Sequence, residues 1–161
     1  MIIRKATIND LEEIWKIFET VIKTGDTFAF PPGTGKDELQ KIWFAPGMNT
    51  FVAEDNGKIT GSYFIRPNQP GLGSHIANCG FMVDPEVRAM GIGGQLCEHS
   101  IQIAKELGYK GIQYNLVVST NEKAVKLWER FGFKIIGTIP GGFNHQEFGY
   151  VNAYIMFRAI I

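Results

Sequence analysis

Phe81-Met82-Val83-Asp84-Pro85-Glu86-Val87-Arg88-Ala89-Met90-Gly91-Ile92-Gly93-Gly94-Gln95-Leu96 is the stretch on which the fold turns. It begins apolar and strand-like, Pro85 marks a turn, and Arg88-x-x-Gly91-x-Gly93-Gly94 opens a helix. Glycines at such a place let main-chain N–H groups approach an anion, and the helix dipole favours negative charge there. Arg88 adds a fixed positive fork. The ligand that suits this turn is a pyrophosphate. Two common phosphate motifs do not match. A dinucleotide fingerprint needs Gly-x-Gly-x-x-Gly and an acid at the end of the next strand. Here the third glycine is missing, and the strand Gly111–Val118 carries no acid. A phosphate loop needs Gly-x-x-x-x-Gly-Lys followed by Ser or Thr. Around Gly35-Lys36, Phe30 stands where the first glycine belongs and Asp37 follows the lysine.

Working outward, Ile2–Ala6 reads as a first strand, and Thr7 with Asp10 as the start of a helix whose apolar face is Leu11, Ile14, Trp15, Phe18 and Ile22. Gly25–Gly35 is a loop broken by Pro31-Pro32, and Asp37–Phe44 a short helix. Phe51–Glu54 and Ile59–Arg66 are strands joined through Asp55-Asn56-Gly57, a hairpin signal because Asn-Gly accepts positive φ. His75–Val83 is a strand, Ile92–Leu107 a helix and Gly111–Val118 a strand. Ser119 and Glu122 suggest a capping box for a helix that presents Ala124, Leu127, Trp128 and Phe131 on one face. Phe133–Ile139 and Val151–Phe157 close the series, with Pro140–Gly149 as the loop between them. Early strands joined by hairpins and later ones through helices predict an α/β (α+β) fold. Its central sheet is mixed and mostly antiparallel, of about seven strands flanked by about four helices.

The chain has 161 residues, which suits one domain over 1–161. Sixteen Lys plus Arg balance sixteen Asp plus Glu, so no global field points to nucleic acid or a membrane surface. No apolar run is long enough to span a bilayer, and the start has no signal-peptide pattern, so a cytoplasmic protein is expected. Cys79 and Cys97 suggest no disulfide framework. His75 and Cys79 would lie ~13 Å apart along a strand, too far to share one metal ion, and no metal is expected.

Arg88-x-x-Gly91-x-Gly93 after Val83-x-Pro85 is similar to the acetyl-CoA motif of the GNAT acetyltransferases. Downstream, Asn121-x-x-Ala124-x-x-Leu127-Trp128-x-x-x-Gly132-Phe133 resembles that family's second motif, at the matching spacing. The resemblance implies the GNAT fold, acetyl-CoA as cosubstrate and transfer to an amine. It implies that the main chain of Phe81, Met82 and Val83 faces the acetyl and pantetheine arm. It further implies that Arg88, Ala89, Met90, Gly91, Ile92, Gly93 and Gly94 wrap the pyrophosphate, and that Asn121 reaches the pantetheine or the sulfur. Many family members carry Tyr at the position of Trp128, where it protonates the departing sulfur. Indole donates a hydrogen bond but loses no proton at accessible pH, so Trp128 is expected to pack under the pantetheine arm instead.

A narrower likeness runs through His75-x-x-Asn78-x-Gly80-Phe81-x-Val83, Tyr109-Lys110-Gly111, Asn115-Leu116-Val117, Leu127-Trp128 and Tyr150-Val151-x-Ala153. It points to the members that acetylate azetidine-2-carboxylate, a proline analogue, and to phosphinothricin-acetyltransferase-like proteins. In the former, the positions matching Asn78 and Asn115 hold the substrate and the one matching Asn121 lies at the reaction centre. The partner expected is therefore a small-molecule amine, with Phe28 and Phe30 in Thr24–Pro32 walling its site and the Pro140–Gly149 loop closing it. The residues alone leave Asn78 and Asn115 equally open to satisfying main-chain groups between strands. A main-chain N–H near Phe81 is expected to polarise the thioester carbonyl. No acid stands near Asn78 in sequence, which leaves Glu54, His145, Glu147 or water as proton acceptor. Two other readings stay open: a non-catalytic acyl-CoA sensor, and acetylation of proteins or peptides, which needs an open groove. The apolar last strand offers a surface for a homodimer.

Overall fold

Asn56 and Gly57 turn the chain back on itself at φ +49 and +76, the two positive values that match a tight turn to the twist of its strands. The computed structural model describes all residues 1–161, except the side chains of Arg88 and Ala89. The order is β1 (Ile2–Lys5), α1 (Leu11–Lys23), α2 (Lys36–Trp43), β2 (Asn49–Asp55), β3 (Lys58–Pro67), β4 (Ile76–Val83), α3 (Ile92–Glu106), β5 (Gly111–Val118), α4 (Glu122–Arg130), β6 (Lys134–His145) and β7 (Gly149–Ala159). The strands form one seven-stranded sheet in the order β1-β2-β3-β4-β5-β7-β6. All neighbours are antiparallel except β4 and β5. Among the described residues, no helix is long and apolar enough to cross a membrane.

Period-2 alternation sorts the sheet into two cores. Tyr63, Ile65, Ala77, Cys79, Ile112, Tyr114 and Met156 turn to the side of α3, which buries Leu96, Cys97 and Ile101 there. Val52, Phe64 and Met82 turn to the other side, under Ile14, Phe18 and Ile22 of α1 and Leu39 and Trp43 of α2.

Thr7 and Asp10 open the first helix as expected, through a 3₁₀ turn, Ile8–Asp10, with the Asp10 carboxylate accepting the Thr7 N–H at 2.7 Å. Two expectations need correction. The cap of α4 is Asn121, whose side-chain oxygen accepts from the Ala124 N–H at 3.4 Å, and not Ser119. The expected Pro140–Gly149 loop is largely strand. β6 resumes pairing with β7 at Phe143 after a register shift beyond Ile139. An edge strand tolerates Pro140, since its missing N–H costs no ladder bond on the open side. β7 lies between β5 and β6, so both its edges are taken and only its face is open to a second copy.

Arg4 ties β1 to this framework, reaching Asp10 at 2.8 Å and Glu54 at 2.7 Å. The guanidinium holds the Asp10 carboxyl below its ordinary range, with the Thr7 N–H adding to the effect. A depressed carboxyl stabilises the fold above its unfolded pKa, and that contribution fades as pH falls through the folded value. Asp10→Asn is therefore expected to cost about 1 kcal/mol near neutral pH after allowance for solvent screening. That is roughly 2–4 °C in Tm. The gap between variant and wild type should close in acid below the ordinary carboxylate range, and a gap that persists there refutes the assignment.

Candidate functional site

The only parallel pair is also the shortest. β4 and β5 are in register at Ile76–Gly111 and Ala77–Ile112 and diverge beyond. From Cys79 to Val83, β4 bonds to β3 on one side and has no strand on the other. Alternate residues of such an edge turn their N–H and C=O into the gap. A wedge of unpaired main chain thus opens in mid-sheet, at Phe81.

Aromatic rings line one face of the wedge. Phe81 lies 5.4 Å from Tyr63, 5.8 Å from Tyr114 and 5.0 Å from Trp128, centroid to centroid. Trp128 in turn packs on Tyr114 at 5.0 Å. Neither phenol beside this cluster is free. The Tyr63 hydroxyl is bonded to His99 Nδ1 at 2.7 Å, and the Tyr114 hydroxyl lies 3.9 Å from Cys97 Sγ. Burial pushes both phenols well above their ordinary pKa.

The end of β4 leads through a 3₁₀ turn, Pro85–Met90, capped by Asp84 on the Glu86 N–H at 3.0 Å. Gly91, at φ +73, then swings the chain into α3. The first closed bond is Gln95 N–H to Gly91 C=O at 3.2 Å, so the N–H groups of Ile92, Gly93 and Gly94 have no partner inside the helix. The glycines also serve packing. A Cβ on Gly93 would stand 3.3 Å from Leu127 Cδ2, and one on Gly94 3.6 Å from Phe131, both against α4. Ile92 and Met82 keep their side chains in the core, so only their main chain is on offer. Met90 is exposed. The expected roles of the Arg88 and Ala89 side chains lie outside the described residues.

The opposite face of the wedge is polar. Asn78 is buried and donates from Nδ2 to the Gln113 C=O at 3.0 Å, across the point where the strands part. Asn115 accepts from Gln113 Nε2 at 3.1 Å and donates to Asn68 Oδ1 at 2.7 Å. Both predicted amides are thus brought to adjacent strands, each with one N–H in use and a second left. Arg66, which no motif marks, is the register partner of Asn78. Its guanidinium lies 5.6 Å from the Phe64 ring centroid, and among the described residues no carboxylate forms an ion pair with it. Its in-phase spacing from Phe64 was the available signal. Phe64 itself lies across Gly80, where a Cβ would stand 2.5 Å from its Cε1.

Phe28 stacks on Phe30 at 6.1 Å and reaches Trp43 at 6.5 Å, and Trp43 meets Phe64 edge-on at 4.8 Å. An aromatic wall therefore runs from the α1–α2 loop to β4. A cavity of about 280 Å³ lies between that loop and the β6–β7 hairpin, lined by Phe28, Phe30, Phe143, Asn144 and Gln146 among others. Beside Phe28, the Thr27 hydroxyl is buried without a hydrogen-bond partner. A larger cleft, about 660 Å³, lies at the far end of α4 around Arg130, Gly132, Lys134 and Arg158. It contains none of the residues of the wedge, so chemistry and not volume identifies the site.

Two proposed proton acceptors are excluded. Glu54 is bound to Arg4 beside β1. His145 Nδ1 accepts the N–H groups of Glu147 and Phe148 at 3.1 and 3.2 Å, so its lone pair is in use and the proton sits on Nε2. Glu147 is exposed on the hairpin turn. Cys79 is a buried free thiol whose pKa burial pushes up, which does not suit a nucleophile. Among the described residues, no group of three or more His, Cys, Asp or Glu side chains is arranged to hold a metal.

Residues 9–133 match the acetyltransferase (GNAT) family. The N-acetyltransferase aca1 of Schizosaccharomyces pombe is 41% identical over 113 residues, which cover 69% of this chain and 54% of aca1. The chain thus spans about half the length of that relative. The L-amino acid N-acetyltransferase AaaT of Escherichia coli is 27% identical, over 98% of this chain and 97% of its own. A GCN5-related N-acetyltransferase from Kribbella flavida has a solved structure that superposes with a TM-score of 0.94. It is 38% identical and the match covers 98% of this chain and 96% of that one.

Proposed function

Because the chain belongs to the GNAT acetyltransferase family, we propose that it carries the acetyl group of acetyl-CoA to the amine of a small amino or imino acid. The observation that carries this reading is the wedge between β4 and β5. Unpaired main chain stands at its centre, the free N–H groups of α3 at its end, and Arg66 with a row of amides on one face. The relative AaaT, whose name specifies an L-amino acid, agrees with a carboxylate-bearing acceptor.

The residues present suit acetyl-CoA. The N–H groups of Ile92, Gly93 and Gly94 hold the pyrophosphate at the positive end of α3. Phe81 and Trp128 pack along the pantetheine arm. Acetyl-CoA supplies an acyl thioester, whose thiol of pKa ~8.5 is a fair leaving group as thiolate. That matters because indole does not act as an acid at accessible pH, and burial makes the Tyr63 and Tyr114 phenols weaker acids than usual. A β4 N–H in the gap near Phe81 polarises the carbonyl where charge develops. The Asn121 amide, whose oxygen caps α4, keeps its N–H groups for the sulfur or the pantetheine.

On the other face, Arg66 and the second N–H groups of Asn78 and Asn115 take the acceptor carboxylate. Phe28 and Phe30 enclose its apolar part. What remains is proximity and orientation. With Glu54 and His145 engaged elsewhere, the amine loses its proton to water before attack, so kcat/KM rises with pH towards the pKa of the acceptor amine itself.

The test is acetyl-CoA-dependent thiol release, from about pH 7 to about pH 9, against azetidine-2-carboxylate, proline analogues, phosphinothricin, polyamines and peptides. Turnover of the amino and imino acids is expected. Arg66→Ala should raise KM for them about 10–100-fold, the worth of a charge-assisted hydrogen bond. The matching carboxamides should be affected little. Turnover confined to polyamines removes the carboxylate reading, and acetyl-CoA binding without turnover of any amine removes the enzyme.

A further inference from the structure

Gln146, at the tip of the β6–β7 hairpin, and Gly25, just after α1, meet in the lining of the cavity that Phe28 and Phe30 wall. The Gln146 N–H donates to the Gly25 C=O at 3.2 Å. The Gln146 side chain lies so close that a Cβ on Gly25 would stand 2.1 Å from its Cγ and 2.6 Å from its Cδ. Gly25 is also at φ +60, so the position demands glycine twice over. Gly25 is buried and Gln146 exposed, which makes the glutamine the outer layer of the contact and the glycine the inner one.

The hairpin that carries Gln146 is held in shape from within. His145 Nδ1 accepts the N–H groups of Glu147 and Phe148, and the Phe148 ring stacks on the imidazole at 4.6 Å. His145 is therefore a positioning residue for the turn. Both Gly25 and Gln146 line the cavity of about 280 Å³.

We propose that Gly25 and Gln146 form a strap that closes the acceptor site on its outer side and limits the enzyme to free, single-residue acceptors. The inference rests on the small-acceptor reading above. A peptide must run its second residue away from the reacting amine, through an open groove between the α1–α2 loop and the β6–β7 hairpin. The strap joins those two walls by a main-chain hydrogen bond and a side chain packed on bare backbone. A free amino acid ends at its carboxylate, within the enclosure, and needs no exit.

The experiment compares kcat/KM for an amino acid used by the wild type with that for the dipeptide bearing the same amino-terminal residue. It is run on wild type, Gln146→Gly and Gly25→Ala, with acetyl-CoA affinity and Tm measured in parallel. The wild type should favour the free amino acid by about 100-fold or more, and Gln146→Gly should cut that preference at least about tenfold through a gain on the dipeptide. Gly25→Ala should act in the same direction. Gln146→Gly leaves the left-handed φ of Gly25 untouched and keeps the test valid if Gly25→Ala fails to fold. An unchanged preference in folded Gln146→Gly, or a wild type that takes dipeptides as readily as amino acids, overturns the strap while leaving the acceptor reading intact. A wild type that acetylates no free amino acid overturns the acceptor reading and the strap with it.

Discussion

Gly93→Val is expected to weaken acetyl-CoA binding by about 100-fold or more, about 2.7 kcal/mol, in a protein that still folds. Gly93 carries one of the N–H groups at the start of α3 that no bond inside the helix uses, and a Cβ there would already press on Leu127 Cδ2 at 3.3 Å. Alanine asks the far end of a flexible leucine to yield by a few tenths of an ångström, so Gly93→Ala should cost only a few-fold. Valine adds two branches that Leu127 cannot clear, and α3 must shift away from α4. The N–H groups of Ile92, Gly93 and Gly94 then no longer converge on one anion. Calorimetric titration with acetyl-CoA, read beside a thermal melt, separates this from unfolding. A folded Gly93→Val protein with unchanged affinity would remove the α3 terminus from the binding site.

Trp43→Ala should be the most damaging single change to stability, at about 3–5 kcal/mol, which is a large share of the total for a protein of this size. The indole is fully buried, meets Phe64 at 4.8 Å, and donates from Nε1 to Ser62 Oγ at 2.9 Å. Ser62 keeps a partner in the Phe51 C=O at 2.8 Å, so the loss is mainly cavity and not an orphaned hydroxyl. Trp43 also spaces Phe28 from Phe64. Its removal should therefore lower kcat/KM for the acceptor more than it lowers affinity for acetyl-CoA. Chemical denaturation of Trp43→Ala beside Trp43→Phe measures the first effect. A loss below about 1 kcal/mol for the alanine variant would show that the α1–α2 core does not depend on this ring.

Local chemistry made much of the fold legible. Asn56-Gly57 marks its hairpin because positive φ is a property of the residues themselves. The apolar spacing of α1 marks its buried face because the period belongs to the helix. The glycines after Pro85 mark a strand-to-helix turn because every bond involved is local. The first family motif lies in the same stretch, and the second runs from Asn121 to Phe133. Where two local signals compete, the sequence does not choose: Ser119 and Asn121 are both cap residues, and it is Asn121 that caps α4. Pro140 and Gly141 look like a loop, yet an edge strand absorbs them as an irregularity.

Local chain chemistry set most of the elements, their order, the α3 turn and the residue types available to it. Packing between distant segments fixed where β4 and β5 stop pairing, and so where the wedge opens. It alone set Arg66 beside Asn78, committed the His145 lone pair to a turn, and laid Gln146 on Gly25. The physical reason is distance along the chain. Secondary structure is written in contacts a few residues apart, which composition and period report. A site is written in contacts between segments far apart in sequence, and their geometry exists only once the sheet has chosen its register and the two cores have packed.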